Sequence, residues 1–106
     1  MSSLLRPIIL TFCSLTASLL LLAACETAPP VQEMSDARQA IAVAREAGAE
    51  DYAATELLAA ERFLESAEQK LSDEEYAEAR RDALQAKSKA LAARRLSESS
   101  EPDDND

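Results

Sequence analysis

The stretch Tyr52–Leu96 reads YAATELLAAERFLESAEQKLSDEEYAEARRDALQAKSKALAARRL. It is made of strong helix formers and contains neither glycine nor proline. In its first half Ala53, Leu57, Ala60, Leu64, Ala67 and Leu71 recur at alternating steps of four and three, which places them on one stripe of a helix over about 52–71. In its second half Tyr76, Ala79, Ala83, Ala86, Ala90 and Ala93 repeat the pattern, predicting a helix that runs to about Leu96. Between them lies Ser72-Asp73-Glu74-Glu75, which fits a capping box with Ser72 bonded at Glu75. So short a connection forces the two helices into an antiparallel hairpin. Acids at the start of the second helix (Asp73, Glu74, Glu75, Glu78) and bases at its end (Lys87, Lys89, Arg94, Arg95) both suit the helix dipole.

Working outward, the flanks of the stripes carry charge. Glu61 and Glu68 lie beside the stripe of the first hairpin helix, and Arg80 and Lys87 beside that of the second. Equivalent flanks of an antiparallel pair face each other, so the expected pairs are Glu68 with Arg80 and Glu61 with Lys87, as register markers. A second apolar stripe, Ala77, Leu84 and Leu91, is separated from the first by Arg80, Lys87 and Arg94. Either a preceding helix packs there, or it is a surface for self-association or a partner. That preceding helix is expected over about Ser35–Ala47, with Ser35 as N-cap and Gly48 at its C-terminal end. Ala37, Ile41 and Ala44 mark its inner face, with Ala40 and Ala47 beside them. The fold class is therefore all-α: a hairpin of two long helices plus one short preceding helix.

The ends have a different composition. Residues 25–34, with Pro29-Pro30 and no periodic pattern, read as an extended flexible tether. Residues 97–106, SESSEPDDND, lack any large apolar side chain and read as a disordered acidic tail. That leaves 35–96 as one alanine-rich helical domain, and 106 residues leave room for no second. At the N-terminus Arg6 precedes an apolar stretch of fifteen residues, Ile8–Leu22, shorter than the ~20 a spanning helix needs. Residues 1–24 read as a targeting segment rather than as part of the fold.

The targeting segment ends in Leu22-Ala23-Ala24-Cys25. This resembles the lipobox of bacterial lipoproteins. The resemblance implies cleavage between Ala24 and Cys25, an S-diacylglyceryl group on Cys25 and acylation of its new amino group. Glu26, where retention in the inner membrane of enteric-type bacteria uses Asp, points to the outer membrane, with the chain facing the periplasm. Beyond the lipobox, DARQAIAVAREAGAEDYA, the Glu56-Leu57 to Ala60 segment and Tyr76-Ala77-Glu78-Ala79 resemble an uncharacterised family of helical, alanine-rich bacterial envelope lipoproteins. That family usually has proline where Ala54 stands here. Its longer relatives carry an OmpA-type peptidoglycan-binding domain. The resemblance covers Ser35 to about Ala93 and so does not carry peptidoglycan binding over. The hairpin around Ala60–Ala86 is also similar to a single tetratricopeptide repeat, and one repeat makes no peptide groove.

Several function classes are disfavoured. A net charge of -9 lacks the basic footprint of a nucleic-acid binder. Histidine is absent, and of the two cysteines Cys13 lies in the targeting segment, leaving Cys25 alone in the exported part. Carboxylate pairs such as Glu74-Glu75 and Glu61-Glu65 read as solvated charge. Asp103, Asp104 and Asp106 offer no fixed cage for a metal, and Tyr52 and Tyr76 read as packing anchors. The expectation is a non-enzymatic lipoprotein without cofactor, attached to a membrane by lipid and presenting helices to an envelope protein. The alternatives are an envelope-component binder, for peptidoglycan or lipopolysaccharide, and a homo-oligomeric coiled-coil spacer.

Overall fold

The alanine stripes meet as expected. In a computed structural model, which describes residues 2–26 and 28–102, the order is α1 (Ser2–Glu26), α2 (Val31–Glu46), α3 (Ala49–Tyr52), α4 (Ala54–Ser72) and α5 (Tyr76–Ser100). The described residues contain no strand. The most extensive packing is between α4 and α5, followed by α2 on α5. Ala79, Ala83, Ala86, Ala90 and Ala93 of α5 are fully buried, as are Ala60 and Ala67 of α4, with Leu57 buried among them. Leu64 and Leu71 are partly buried and pack against the same core.

α2 starts earlier than the sequence reading placed it. Residues 31–34 are its first turn, not tether, and Ser35 is an exposed position inside the helix rather than its N-cap. Pro30 takes the cap position, and its carbonyl accepts the first helical bond from the Met34 amide at 3.0 Å. A proline costs nothing there, since the first turn has unpaired amides in any case. Tertiary burial sets this boundary: Met34 is 2 % exposed, in a cluster with Ala67 and Ala83 on which Leu64 and Leu71 pack. Met34, Ala37, Ile41 and Ala44 form one buried stripe.

The second helix of the reading begins two residues later, at Ala54, because Ala53, with φ -146° and ψ 42°, interrupts the ladder and leaves Tyr52 at the end of the short α3. Before it, Gly48 at φ 86° ends α2 in the left-handed region that glycine adopts freely. A Cβ at Gly48 would sit 3.2 Å from the Tyr52 ring, so Tyr52 covers this turn while remaining half exposed. The hairpin turn is no capping box. The Ser72 hydroxyl donates to the Glu68 carbonyl of its own helix, and Glu75, not Ser72, precedes α5. Instead the Glu75 amide donates to the Lys70 carbonyl and the Glu74 amide to that of Leu71. That is the Schellman closure, with Glu74 at φ 61° in the place usually given to glycine.

α5 also outruns its expected end. Residues 97–100 are helical, and Ser97 is fully buried, its hydroxyl donating to the Ala93 carbonyl at 2.8 Å. The disordered-tail reading is therefore wrong for 97–100; Asp103–Asp106 fall outside the described residues.

Candidate functional site

The hairpin has two grooves, and the charges tell them apart. On one side α2 lies between the flanks of α4 and α5, parallel to α5. Glu61 and Glu68 therefore do not meet Lys87 and Arg80, as the sequence spacing predicts. Arg38 of α2 pairs with Glu68 at 3.0 Å, and Arg45 with Glu61. Glu33 pairs with Arg80 at 3.1 Å, and Asp36 with Lys87 at 3.7 Å. All four charges singled out from the sequence sit at this seam, but each finds its partner on the helix inserted between them. The two flanks do face the same side of the hairpin. A third helix then keeps them apart.

The other groove closes on itself. Asp82 of α5 accepts hydrogen bonds from the Lys70 ammonium and the Ser66 hydroxyl of α4, both at 2.6 Å. Glu56 and Lys89 pair at 3.4 Å further along. Burial raises the Asp82 pKa, but the bonds from Lys70 and Ser66 and the charges of Lys70 and Arg81 outweigh it, holding the carboxyl below its ordinary 3.8. Ala59, Arg62, Phe63, Ser66, Lys70 and Asp82 line a shallow open cleft of about 430 Å³ here. Ser66, Lys70 and Asp82 are already paired with one another, which suits an interhelix clamp.

The second apolar stripe remains uncovered. α2 packs elsewhere, leaving Leu84 51 % and Leu91 38 % exposed, with Ala77 exposed as well. Of the two openings left by the sequence, the outward surface is the one the structure displays. Ala24 and Cys25 belong to the last turns of α1, and their side chains lie outside those described. Residues 3–16 of α1 are exposed, including Leu4, Ile8, Phe12 and Leu15. Among the described residues no helix is long and apolar enough to cross a membrane, and no group of acidic or thiol side chains could hold a metal ion.

The architecture agrees with a sequence match that spans most of these helices. The family described as Domain of unknown function (DUF4398) matches residues 32–102. The chain belongs to this family. The DUF4398 match opens at Gln32, inside the first turn of α2, and so includes the segment that the sequence reading placed in the tether. It closes beyond α5, including Ser97. No curated protein and no solved structure matches the chain. The proline expected of relatives at Ala54 would fall on the first residue of α4, where proline is well tolerated.

Sequence reasoning missed Arg38, Arg45, Glu33 and Asp36 as partners, and the Ser66–Lys70–Asp82 clamp. A signal for the first two was present. Arg38 and Arg45 are seven residues apart, as are Glu61 and Glu68, and the numbers of each bonded pair add to the same total. That is the arithmetic of antiparallel contact. The clamp had no comparable signal, because one Asp among many acids on polar faces does not stand out.

Proposed function

We propose that this chain is the precursor of a non-enzymatic lipoprotein of the bacterial envelope, whose helical domain acts as a structural or adaptor module. The observation that carries the reading is Leu22-Ala23-Ala24-Cys25 closing an apolar stretch of fifteen residues, shortly before a packed helical domain. Cys25 would carry the diacylglyceryl thioether and the amide-linked acyl chain. Each buried methylene adds about 0.8 kcal/mol, so two or three chains on one residue hold a domain on a membrane durably. Glu26 favours the outer membrane, with the domain in the periplasm. The exposed Ala77, Leu84 and Leu91 stripe supports contact with a partner through helices.

The test is mass spectrometry of the N-terminal peptide from membranes of expressing bacteria. The expected peptide begins at Cys25 and carries lipid, and Cys25→Ser stays uncut. A chain cut elsewhere, or an unmodified Cys25, would sink the anchored reading. For the adaptor role, a photocrosslinker at Leu84 or Leu91 is expected to capture one discrete envelope protein. A smear matching that from a crosslinker at Glu78 counts against it. The seven-residue spacing of the exposed stripe also favours a second reading, a self-associating spacer. Sedimentation of the lipid-free domain as a monomer at high concentration would dispose of that.

A further inference from the structure

The residues between the lipid site and the helical domain are strapped down. The Arg80 guanidinium donates to the Ala28 carbonyl at 3.0 Å and to the Glu33 carboxylate at 3.1 Å. Pro30 is fully buried, and the Val31 amide closes a turn on the Pro29 carbonyl at 2.9 Å. From Ala28 onward the backbone belongs to the domain. Only Cys25, Glu26 and Thr27 precede that point, a leash of about 10 Å at full extension. Free chain up to Met34 would instead have reached about 30 Å.

We infer that this strap fixes which end of the domain meets the membrane. The inference rests on lipidation of Cys25 as proposed above. Arg80 lies in the second turn of α5, and the strap enters α2 at its N-terminus, so the leash attaches at the end of the bundle that carries the α4–α5 turn. Asp73, Glu74 and Glu75 then lie next to the lipid surface, and Gly48, α3 and the C-terminal turns of α5 point away. α5 has 25 residues, hence a length of about 37 Å at 1.5 Å per residue. With the leash, these helices reach no further than about 50 Å from the bilayer. The Leu84–Leu91 stripe runs outward along that height. Its partner is therefore a membrane-resident or membrane-adjacent protein with a surface parallel to α5, not one held at longer range.

The lipidated full chain offers a direct test. Cys13 leaves with the targeting segment and Cys25 is blocked by lipid, so Asp73→Cys and Ser99→Cys each give one labelling site, both at exposed positions. Energy transfer to a headgroup acceptor in phosphatidylcholine–phosphatidylglycerol vesicles reports their height. Transfer from residue 99 should be at least roughly twofold weaker than from residue 73, given a separation of ~37 Å along α5. Inserting eight Gly/Ser residues after Glu26, which alters nothing in the domain, should bring the two values together. Arg80→Ala should shift them the same way and open residues 28–33 to protease. Equal transfer from both sites in the uninserted protein overturns the inference, and so does an insertion without effect. Mass spectrometry of the same sample separates the failures. A protein without lipid on Cys25 removes the anchored reading and this one together, whereas a lipidated protein with equal transfer removes only the placement.

Discussion

Glu74 occupies a position that its own side chain disfavours. At φ 61° its Cβ crowds the following carbonyl, a cost of roughly 1–2 kcal/mol that glycine avoids. Glu74→Gly is expected to stabilise the domain by about 1 kcal/mol and to raise Tm by ~4–8 °C, measured by thermal unfolding. Asp82 makes the opposite kind of contribution. Its folded pKa lies below its unfolded value of about 3.9, so the unfolded state binds more protons through that range. Its stabilisation is complete above about pH 5 and disappears as pH falls through the folded pKa. Asp82→Asn should flatten that part of the acid limb in urea titrations between pH 5 and 2, and should cost about 1–2 kcal/mol at neutral pH. An unchanged acid limb would show that Lys70 and Ser66 do not favour the charged form.

At the level of elements, α5 is defined by what it lacks. Five alanines on one face leave no room between it and α4 for anything larger. Ala86→Leu should cost at least 1–3 kcal/mol by overpacking, read from the denaturation midpoint. Met34 is the converse, a large side chain filling the turn end of the hairpin beside Leu71. Met34→Ala should cost about 2–5 kcal/mol. These two positions also show where sequence reasoning succeeds and where it stops. Alanines at steps of three and four have one geometric solution, so the hairpin and its inner faces were legible. Met34 continues the Ala37, Ile41, Ala44 stripe at the right spacing, but nearby Pro29-Pro30 made the segment read as extended. Ser97 likewise continues the alanine stripe, hidden in a polar, acidic run. Both boundaries are set by burial against other helices, which local composition does not record. The charged flanks were found, but their partners depended on which groove the third helix enters. The lipid site proposed at Cys25 rests on its neighbours Leu22-Ala23-Ala24 alone, and no feature of the fold enters that proposal.

Across the whole molecule the seam of charges does more than add small increments. Exposed pairs are each worth about 0.2–1 kcal/mol. Their arrangement along α2 is directional: Arg38 and Arg45 on the edge facing α4, Glu33 and Asp36 on the edge facing α5. Reversing all four (Arg38→Glu, Arg45→Glu, Glu33→Lys, Asp36→Lys) keeps the net charge and the helix formers. It should nevertheless destabilise the domain by about 2 kcal/mol or more in urea, with the loss shrinking in high salt. No loss would mean that the seam is indifferent. A hairpin lined with alanine is nearly the same from front and back, and a third helix could lie in either groove. The two outcomes are bundles of opposite handedness. One groove is neutralised from within by Asp82 with Lys70 and Glu56 with Lys89, while the other offers an acidic wall and a basic wall. The handedness of the bundle is thus marked in its polar residues, which distinguish the groove that α2 enters from the one that closes on itself.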